Sequence, residues 1–195
     1  ESTAILAGNS LLTMAFEILS KSNFKVDNKI KINLINLISK TSGHSGIAGG
    51  QYSDLSFEYK NIPLKKIIDM QLKKTGKLFS FCCAAPAIIK RRNRKEIKFF
   101  ENIGSNIGLL FQIADDLIDF KGDSKKAGKK TGKDQKKGKA TLISLLGYSN
   151  AIKYCDKIIL DVNRSLEKYG SNSKNIRETL YYILNRDKWH KIINF

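Results

Sequence analysis

The stretch "GLLFQIADDLIDFKGD", residues 108–123, contains four aspartates, and three of them, Asp115, Asp116 and Asp119, lie inside one of the most apolar segments of the chain. Apolar residues leave almost no polar face between positions 103 and 120, which predicts a helix buried in the middle of a bundle. Asp115 and Asp119 are four residues apart, and Asp116 and Asp119 are three apart, so at least two carboxylates share a face. They also lie in the last turn, where the helix dipole is negative. Burial and the dipole therefore both oppose these three charges.

Carboxylates in such a place either take up protons or bind cations, because an unpaired buried charge is too costly. Clustered carboxylate oxygens are hard ligands, which suit Mg²⁺ rather than Zn²⁺. No histidine cluster competes, since His44 and His190 are isolated. The alternative is that the aspartates simply emerge at the solvated end of the helix. Gln112, one turn earlier, and a lysine-rich segment directly afterwards favour the magnesium site.

Residues 121–141 break the helical pattern decisively. Nine lysines and four glycines lie between Lys121 and Lys139, with no aromatic residue among them. The segment is not suited to bind single-stranded nucleic acid, because base stacking needs aromatic side chains. A phosphate-binding P-loop also fails, since five residues separate the paired glycines, no Ser or Thr follows the lysine, and no strand precedes. Lysine with glycine instead predicts a flexible cover that brings ammonium groups to phosphates.

The whole chain, residues 1–195, is expected to form one domain, because its length gives one real core and nothing forces a second. The hydrophobic fraction of 42%, only 2 prolines and many Leu, Ile and Lys residues favour helices. The fold class predicted is all-α, because helical periodicity recurs and strand alternation is absent. The predicted helices span residues 3–20, 28–40, 44–58, 63–92 with a possible break, 94–120, 141–146, 150–168 and 174–190.

A formal charge of +17 invites a nucleic-acid interpretation, but the lysines are scattered through every segment, which is typical of a general residue-usage bias. No apolar run is expected to reach the roughly 20 residues that span a bilayer, since Gly8 and Asn9 interrupt the first one. Cys82, Cys83 and Cys155 are odd in number and lack metal-ligand spacing, so buried reduced thiols are expected. These features predict a cytoplasmic protein without stable membrane insertion.

Five ordered stretches carry a resemblance that none of them carries alone. In chain order they read "ESTAILAGNSLLTMAFEIL", "GGQYSDL", "KKTGKLF", "FQIADDLIDFKGD" and "AGKKTGKDQKKGKATLISLLG". Together they resemble the trans-isoprenyl diphosphate synthases, the family of farnesyl and geranylgeranyl diphosphate synthases. The stretches match the helix after the active-site entrance, the Gly-Gln and Asp-Leu element, the Lys-Thr motif at a helix break, the second aspartate-rich motif and the lysine-bearing loop. The resemblance covers essentially the whole chain.

The resemblance implies a diphosphate site for this sequence. Asp115, Asp116 and Asp119 would hold Mg²⁺ on the diphosphate of an allylic substrate, with Asp115 the best candidate for a direct ligand. Three lysines would contact that diphosphate: Lys74, Lys129 and Lys139. Lys74 could alternatively be a solvated helix lysine.

It also implies residues around the reacting carbon. Thr75 and Gln112, which with Lys74 form the implied catalytic set, would lie beside the developing allylic cation. Gln51 and Asp54 would line the same cavity, unless they are merely structural, and Asp134 would act through water.

The resemblance further implies an isoprenoid synthase helical bundle, a homodimer and the condensation of isopentenyl diphosphate with an allylic diphosphate. The chain is expected to lack the family's N-terminal helices, which carry the first aspartate-rich motif, and to be inactive by itself. Product length, whether C10, C15 or C20, stays open. Three alternatives remain: a terpene cyclase, a catalytically inactive homologue that acts as an interaction partner, and a basic nucleic-acid-binding helical protein.

Overall fold

In the computed structural model of the chain, residues 2–121 and 141–185 are described, and every regular element within these ranges is helical. The α-helices are α1 (Ser2–Ser20), α2 (Asn28–Ser42), α3 (Ile47–Ser56), α4 (Leu64–Gln71), α5 (Lys77–Ile89), α6 (Arg94–Lys121), α7 (Leu142–Leu146), α8 (Tyr148–Leu166) and α9 (Lys174–Asn185). A π-helical turn, Leu72–Gly76, joins α4 to α5, and a 3₁₀ segment, Glu167–Ser173, joins α8 to α9. The all-α prediction is confirmed.

Helix α6 is the central element of the main core, as its apolar sequence predicts. Its buried residues pack with those of α4, α7, α8 and α9 in one hydrophobic cluster. Leu110 and Ile113 are fully buried on α6, and Leu142, Cys155 and Leu180 are their fully buried counterparts on the later helices. Because this cluster fixes α6 from Ile103 to Leu117, the aspartates near its C-terminal end have a rigid support.

Glycines allow two helices to approach the π-helical turn at backbone distance. A Cβ atom on Gly50 of α3 would lie 2.3 Å from the backbone nitrogen of Lys74, and one on Gly108 of α6 would lie 2.6 Å from the Cα atom of Gly76. Real Cβ contacts are longer than these, so any larger residue would push the helices apart. The two glycines therefore bring α3, the π-helical turn and α6 together around the site.

Helix α1 differs from all the others because it has no buried residue. Ile5, Leu6 and Leu11 are each more than 60% exposed. Within the described residues, α1 is long and apolar enough to cross a membrane by length and composition alone, which is weak evidence, since soluble core helices also pass that test. The expectation that no apolar run approaches this length is wrong for α1, because Gly8 and Asn9 do not interrupt the helix.

The three cysteines are free thiols, as expected, but only one of them is fully buried. Cys155 is buried in the main core, Cys83 is half-buried, and Cys82 is exposed on α5. The prediction that all three are buried is therefore wrong for Cys82. The apolar run around it belongs to a helix that buries only one of its faces, along Ala84, Ala87 and Ile88.

Candidate functional site

The three aspartates lie in the last two turns of α6, and they are not at a solvated end. Asp116 is 5% exposed and Asp119 is 7% exposed, while Asp115 is intermediate. Burial of two carboxylates on one helix requires polar partners, because a carboxylate loses its hydration when it is buried. The simpler interpretation, in which the aspartates emerge into water, is therefore wrong for Asp116 and Asp119.

Asp116 is the end of a chain of side-chain hydrogen bonds that crosses from the π-helical turn to α6. Thr75 Oγ1 donates to Gln112 Oε1 at 3.1 Å, and Gln112 Nε2 donates to Asp116 Oδ1 at 3.0 Å. Both ends of the Gln112 amide are thus engaged, which fixes its orientation. The structure brings together Thr75, Gln112 and Asp116, three residues that the resemblance assigned to one site.

A second amide reaches the other oxygen of the same carboxylate. Gln71 Nε2 donates to Asp116 Oδ2 at 3.2 Å, and Gln71 is only 3% exposed. Its Oε1 atom is buried without a hydrogen-bond partner among the described residues. Sequence reasoning missed Gln71 because it precedes the quoted "KKTGKLF" stretch. Its spacing, four residues before Thr75, is the signal that could have placed it on the face toward α6.

The π-helical turn divides its side chains between two partner helices. Thr75 bonds to α6, whereas Lys74 Nζ lies 2.6 Å from Asp54 Oδ2 on α3. A π-helical turn carries an extra residue compared with an α-helical turn, and such turns are frequent at functional sites. The predicted break in the helix over residues 63–92 is this turn.

The Lys74 and Asp54 side chains form a partly buried ion pair, with 26% and 9% of each exposed. The structure thus places two residues that the resemblance assigned to the diphosphate cavity in direct contact with each other. Gln51, the third residue assigned to this side of the cavity, is exposed on α3. Lys129, Lys139 and Asp134 lie outside the described residues.

A buried thiol on α8 borders the site and responds to its charge. Burial, and to a lesser extent the negative charges of Asp156 and Asp116, raise the pKa of Cys155 to about 12. The thiol therefore stays protonated near neutral pH. It is unsuited to act as a nucleophile there, since the thiolate is the reactive form.

The donor chemistry at the end of α6 fits a hard cation, because carboxylate oxygens and the buried Oε1 atom of Gln71 are oxygen ligands. Across residues 2–121 and 141–185, however, no three His, Cys, Asp or Glu side chains are arranged so that they alone could hold a metal ion. The remaining ligands of a magnesium ion would therefore have to come from a diphosphate, from water or from outside these ranges.

Comparison with known proteins identifies the family of this chain. The polyprenyl synthetase family matches residues 1–182. The chain is 35% identical over 188 residues to farnesyl diphosphate synthase of Micrococcus luteus, covering 96% of this chain and 64% of that protein. It is 32% identical to geranylgeranyl pyrophosphate synthase 4 of Arabidopsis thaliana, covering 96% of this chain and 51% of that protein. The chain belongs to the polyprenyl synthetase family.

Solved structures agree with this assignment. The fold matches an FPP/GFPP synthase from Zymomonas mobilis with a TM-score of 0.78 and 36% identity, covering 94% of this chain and 61% of that one. It also matches a Helicobacter pylori geranyltransferase, described as complexed with magnesium and isoprenyl diphosphate, with a TM-score of 0.76 and 31% identity, covering 95% of this chain and 60% of that one. The chain therefore spans about 60% of the length of these relatives.

Proposed function

We propose that the protein carrying this chain is a prenyltransferase that condenses isopentenyl diphosphate with an allylic diphosphate to give a longer trans-prenyl diphosphate. The observation that carries the proposal is the hydrogen-bonded chain of Thr75, Gln112 and Asp116 beside Lys74. It joins a hydroxyl, an amide and a carboxylate across two helices in a member of the polyprenyl synthetase family.

Asp115, Asp116 and Asp119 are the residues that would hold magnesium at the end of α6. When bound, the metal would neutralise the diphosphate leaving group and so lower the barrier to its departure. Lys74 supplies an ammonium group from the opposite side of the π-helical turn. Lys74 is paired with Asp54, and we expect it to exchange this carboxylate for the phosphate oxygens when the substrate binds.

Thr75 and Gln112 are suited to the positive charge that develops on the allylic carbon. The Thr75 hydroxyl hydrogen is already donated to Gln112, so the lone pairs of Thr75 Oγ1 are left to face a cation. Such fixed dipoles stabilise a developing charge without reorganising. The double bond of isopentenyl diphosphate attacks this carbon, and the condensation product loses a proton to the departing diphosphate. The mechanism needs no protein nucleophile.

The proposal includes the setting of the whole protein as well. The resemblance implies a homodimer, and the reduced cysteines favour a cytoplasmic location. The proposed allylic substrate is dimethylallyl, geranyl or farnesyl diphosphate. The choice among the three stays open, because the product length depends on parts of the longer relatives that this chain does not match.

The test is incubation of the full-length protein with Mg²⁺, isopentenyl diphosphate and each allylic diphosphate in turn, with product lengths read by chromatography. We expect one dominant chain length, and no product when the metal is chelated. Cyclic hydrocarbons formed from an allylic diphosphate alone would identify a terpene cyclase instead. A folded protein that binds no diphosphate and makes no product would identify an inactive homologue.

A further inference from the structure

Gln71 is a buried amide that lies outside every motif identified in the sequence. It is the last residue of α4, directly before the π-helical turn, and only 3% of it is exposed. Its Nε2 atom donates to Asp116 Oδ2, while its Oε1 atom has no hydrogen-bond partner among the described residues. A buried amide with a purely structural role is normally satisfied at both ends, so this one calls for an explanation.

The contacts of Gln71 follow the same register as those of the implied catalytic pair. Gln71 bonds to Asp116, and Thr75, four residues later, bonds to Gln112, four residues earlier than Asp116. A step of four residues forward on one segment thus matches a step of four residues backward on the other. Two antiparallel helices that pack along one face produce this pattern. Gln71 and Thr75 therefore belong to one interface with α6, whereas Lys74, between them, contacts α3.

We infer that Gln71 is a positioning residue, which holds the Asp116 carboxylate in the orientation needed for magnesium and diphosphate binding. This inference rests on the proposed function. Asp116 accepts one amide N–H on each carboxylate oxygen, from Gln112 and from Gln71. Donors from two different helices restrict rotation of the carboxylate more than a donor from its own helix does.

Loss of the Gln71 amide would also affect the orientation of residues other than Asp116. The orientation of Gln112 depends on its bond to Asp116 Oδ1, and the Thr75 hydroxyl in turn depends on Gln112 Oε1. A carboxylate that can rotate therefore loosens both residues beside the reacting carbon. The unpartnered Oε1 atom adds an acceptor close to Asp116, suited to a water molecule that is bound with the metal and the diphosphate.

The test measures binding of inorganic diphosphate by calorimetry, with and without Mg²⁺, in the full-length protein. The variants are Gln71→Met, which keeps the size of the side chain but removes the amide, Asp116→Asn and the double variant. We expect Gln71→Met to weaken magnesium-dependent binding about tenfold, the scale found for residues that orient a metal ligand. In the Asp116→Asn background, the same change should alter affinity less than about twofold, because its target is gone.

The matched control is Met70→Ala, which removes a buried side chain from the same helix and has no role in the hydrogen-bonded chain. It should lower the melting temperature at least as much as Gln71→Met and leave diphosphate affinity unchanged. The inference alone is overturned if Gln71→Met lowers stability but not affinity, or if its effect and that of Asp116→Asn multiply. A wild-type protein that binds no magnesium diphosphate overturns the proposed function and this inference together.

Discussion

Two buried carboxylates beside the π-helical turn contact different kinds of side chain. Asp54 on α3 contacts the ammonium group of Lys74 at 2.6 Å, whereas Asp116 on α6 accepts hydrogen bonds from the amides of Gln71 and Gln112. An ammonium group cancels most of the charge of a carboxylate that it touches. An amide orients a carboxylate and leaves its charge in place.

The difference indicates different tasks for two aspartates of similar burial. Asp54 holds the Lys74 ammonium group until a diphosphate binds to it. Asp116 keeps a negative charge that can bind a metal ion. Substitutions of the two aspartates should therefore change diphosphate binding by different amounts and even in opposite directions.

The largest effect is expected at the metal side, for Asp115→Asn in the full-length protein. We expect turnover to fall at least about 100-fold, which exceeds the usual cost of losing a residue that merely orients a metal ligand. Helicity by circular dichroism should be unchanged, because Asp115 is the least buried of the three aspartates. Steady-state kinetics at several magnesium concentrations measure the loss.

The control for Asp115→Asn is Glu101→Gln, at the other end of α6. Glu101 pairs with Lys98 on the surface at 3.1 Å, and such pairs contribute little. Its activity should remain within about twofold of the wild type. Equal activity of the wild type and the Asp115→Asn variant would remove Asp115 from the metal site.

Much of the fold could be predicted from the sequence because the signals involved are local. The eight predicted helical segments correspond to the observed helices within the described residues, because the longer ones carry a 3.6-residue periodicity of their own. The end of the last predicted segment, residues 186–190, lies outside those residues. The burial of α6 followed from an apolar stretch with almost no polar face. The meeting of Thr75 with Gln112 and of Lys74 with Asp54 agrees with the motifs that placed these residues in one cavity.

The rest could not be predicted because it depends on how distant segments meet. Gln71 has no motif of its own, and its contact with Asp116 joins residues 45 positions apart. The exposure of Cys82 depends on which face of α5 packs against a neighbour, and an apolar run on both faces does not reveal that. The exposed state of α1 likewise depends on its neighbours, which its own run of apolar residues does not reveal.

The second effect concerns the glycines that hold the two sides together. Gly50→Ala should destabilise the protein by about 1–3 kcal/mol, the usual cost of overpacking, because its Cβ would meet the backbone of Lys74 at 2.3 Å. This change should disturb the Asp54 side, whereas Gly108→Ala should cost a similar amount and disturb the Asp116 side. Urea unfolding gives the first quantity, and magnesium-dependent diphosphate binding should weaken more for Gly108→Ala.

Gly8→Ala is the matched control, since a Cβ at Gly8 on α1 would meet nothing within 4 Å. There the change should stabilise the helix by up to about 1 kcal/mol, which is the difference in helix propensity. If Gly50→Ala raises the free energy of unfolding as Gly8→Ala does, the packing of α3 does not depend on this close approach.

The third effect uses Cys155 as a reporter of the charge on Asp116. The pKa of Cys155 is raised from an ordinary value of 9.0 to about 12 in the folded protein, mainly by burial. Below pH 9 the thiol is protonated in both states. Between pH 9 and 12 the unfolded chain loses this proton and the folded chain keeps it, so stability falls by up to about 1.4 kcal/mol per pH unit.

Urea unfolding between pH 8 and 10.5, without added magnesium, checks this expectation. Cys155→Ala should flatten the alkaline decline, although it lowers stability at every pH by leaving a small cavity. Cys82→Ala should change the slope less, because that thiol is exposed. Asp116→Asn should lower the pKa of Cys155, since the negative charge of Asp116 is one of the causes that raise it. An unchanged slope in Cys155→Ala would contradict the assignment.

The smallest effect is the most direct test of the two carboxylates, because its expected sign differs between them. Asp116→Asn should weaken binding of inorganic diphosphate in the presence of magnesium. Asp54→Asn should instead tighten it roughly two- to fivefold, because Lys74 no longer has to leave a partly exposed pair worth up to about 1 kcal/mol. Isothermal titration calorimetry measures both, and in a Lys74→Met background Asp54→Asn should bring no gain. If Asp54→Asn weakens binding as Asp116→Asn does, Asp54 orients Lys74 instead of competing for it, and the two carboxylates then share one task.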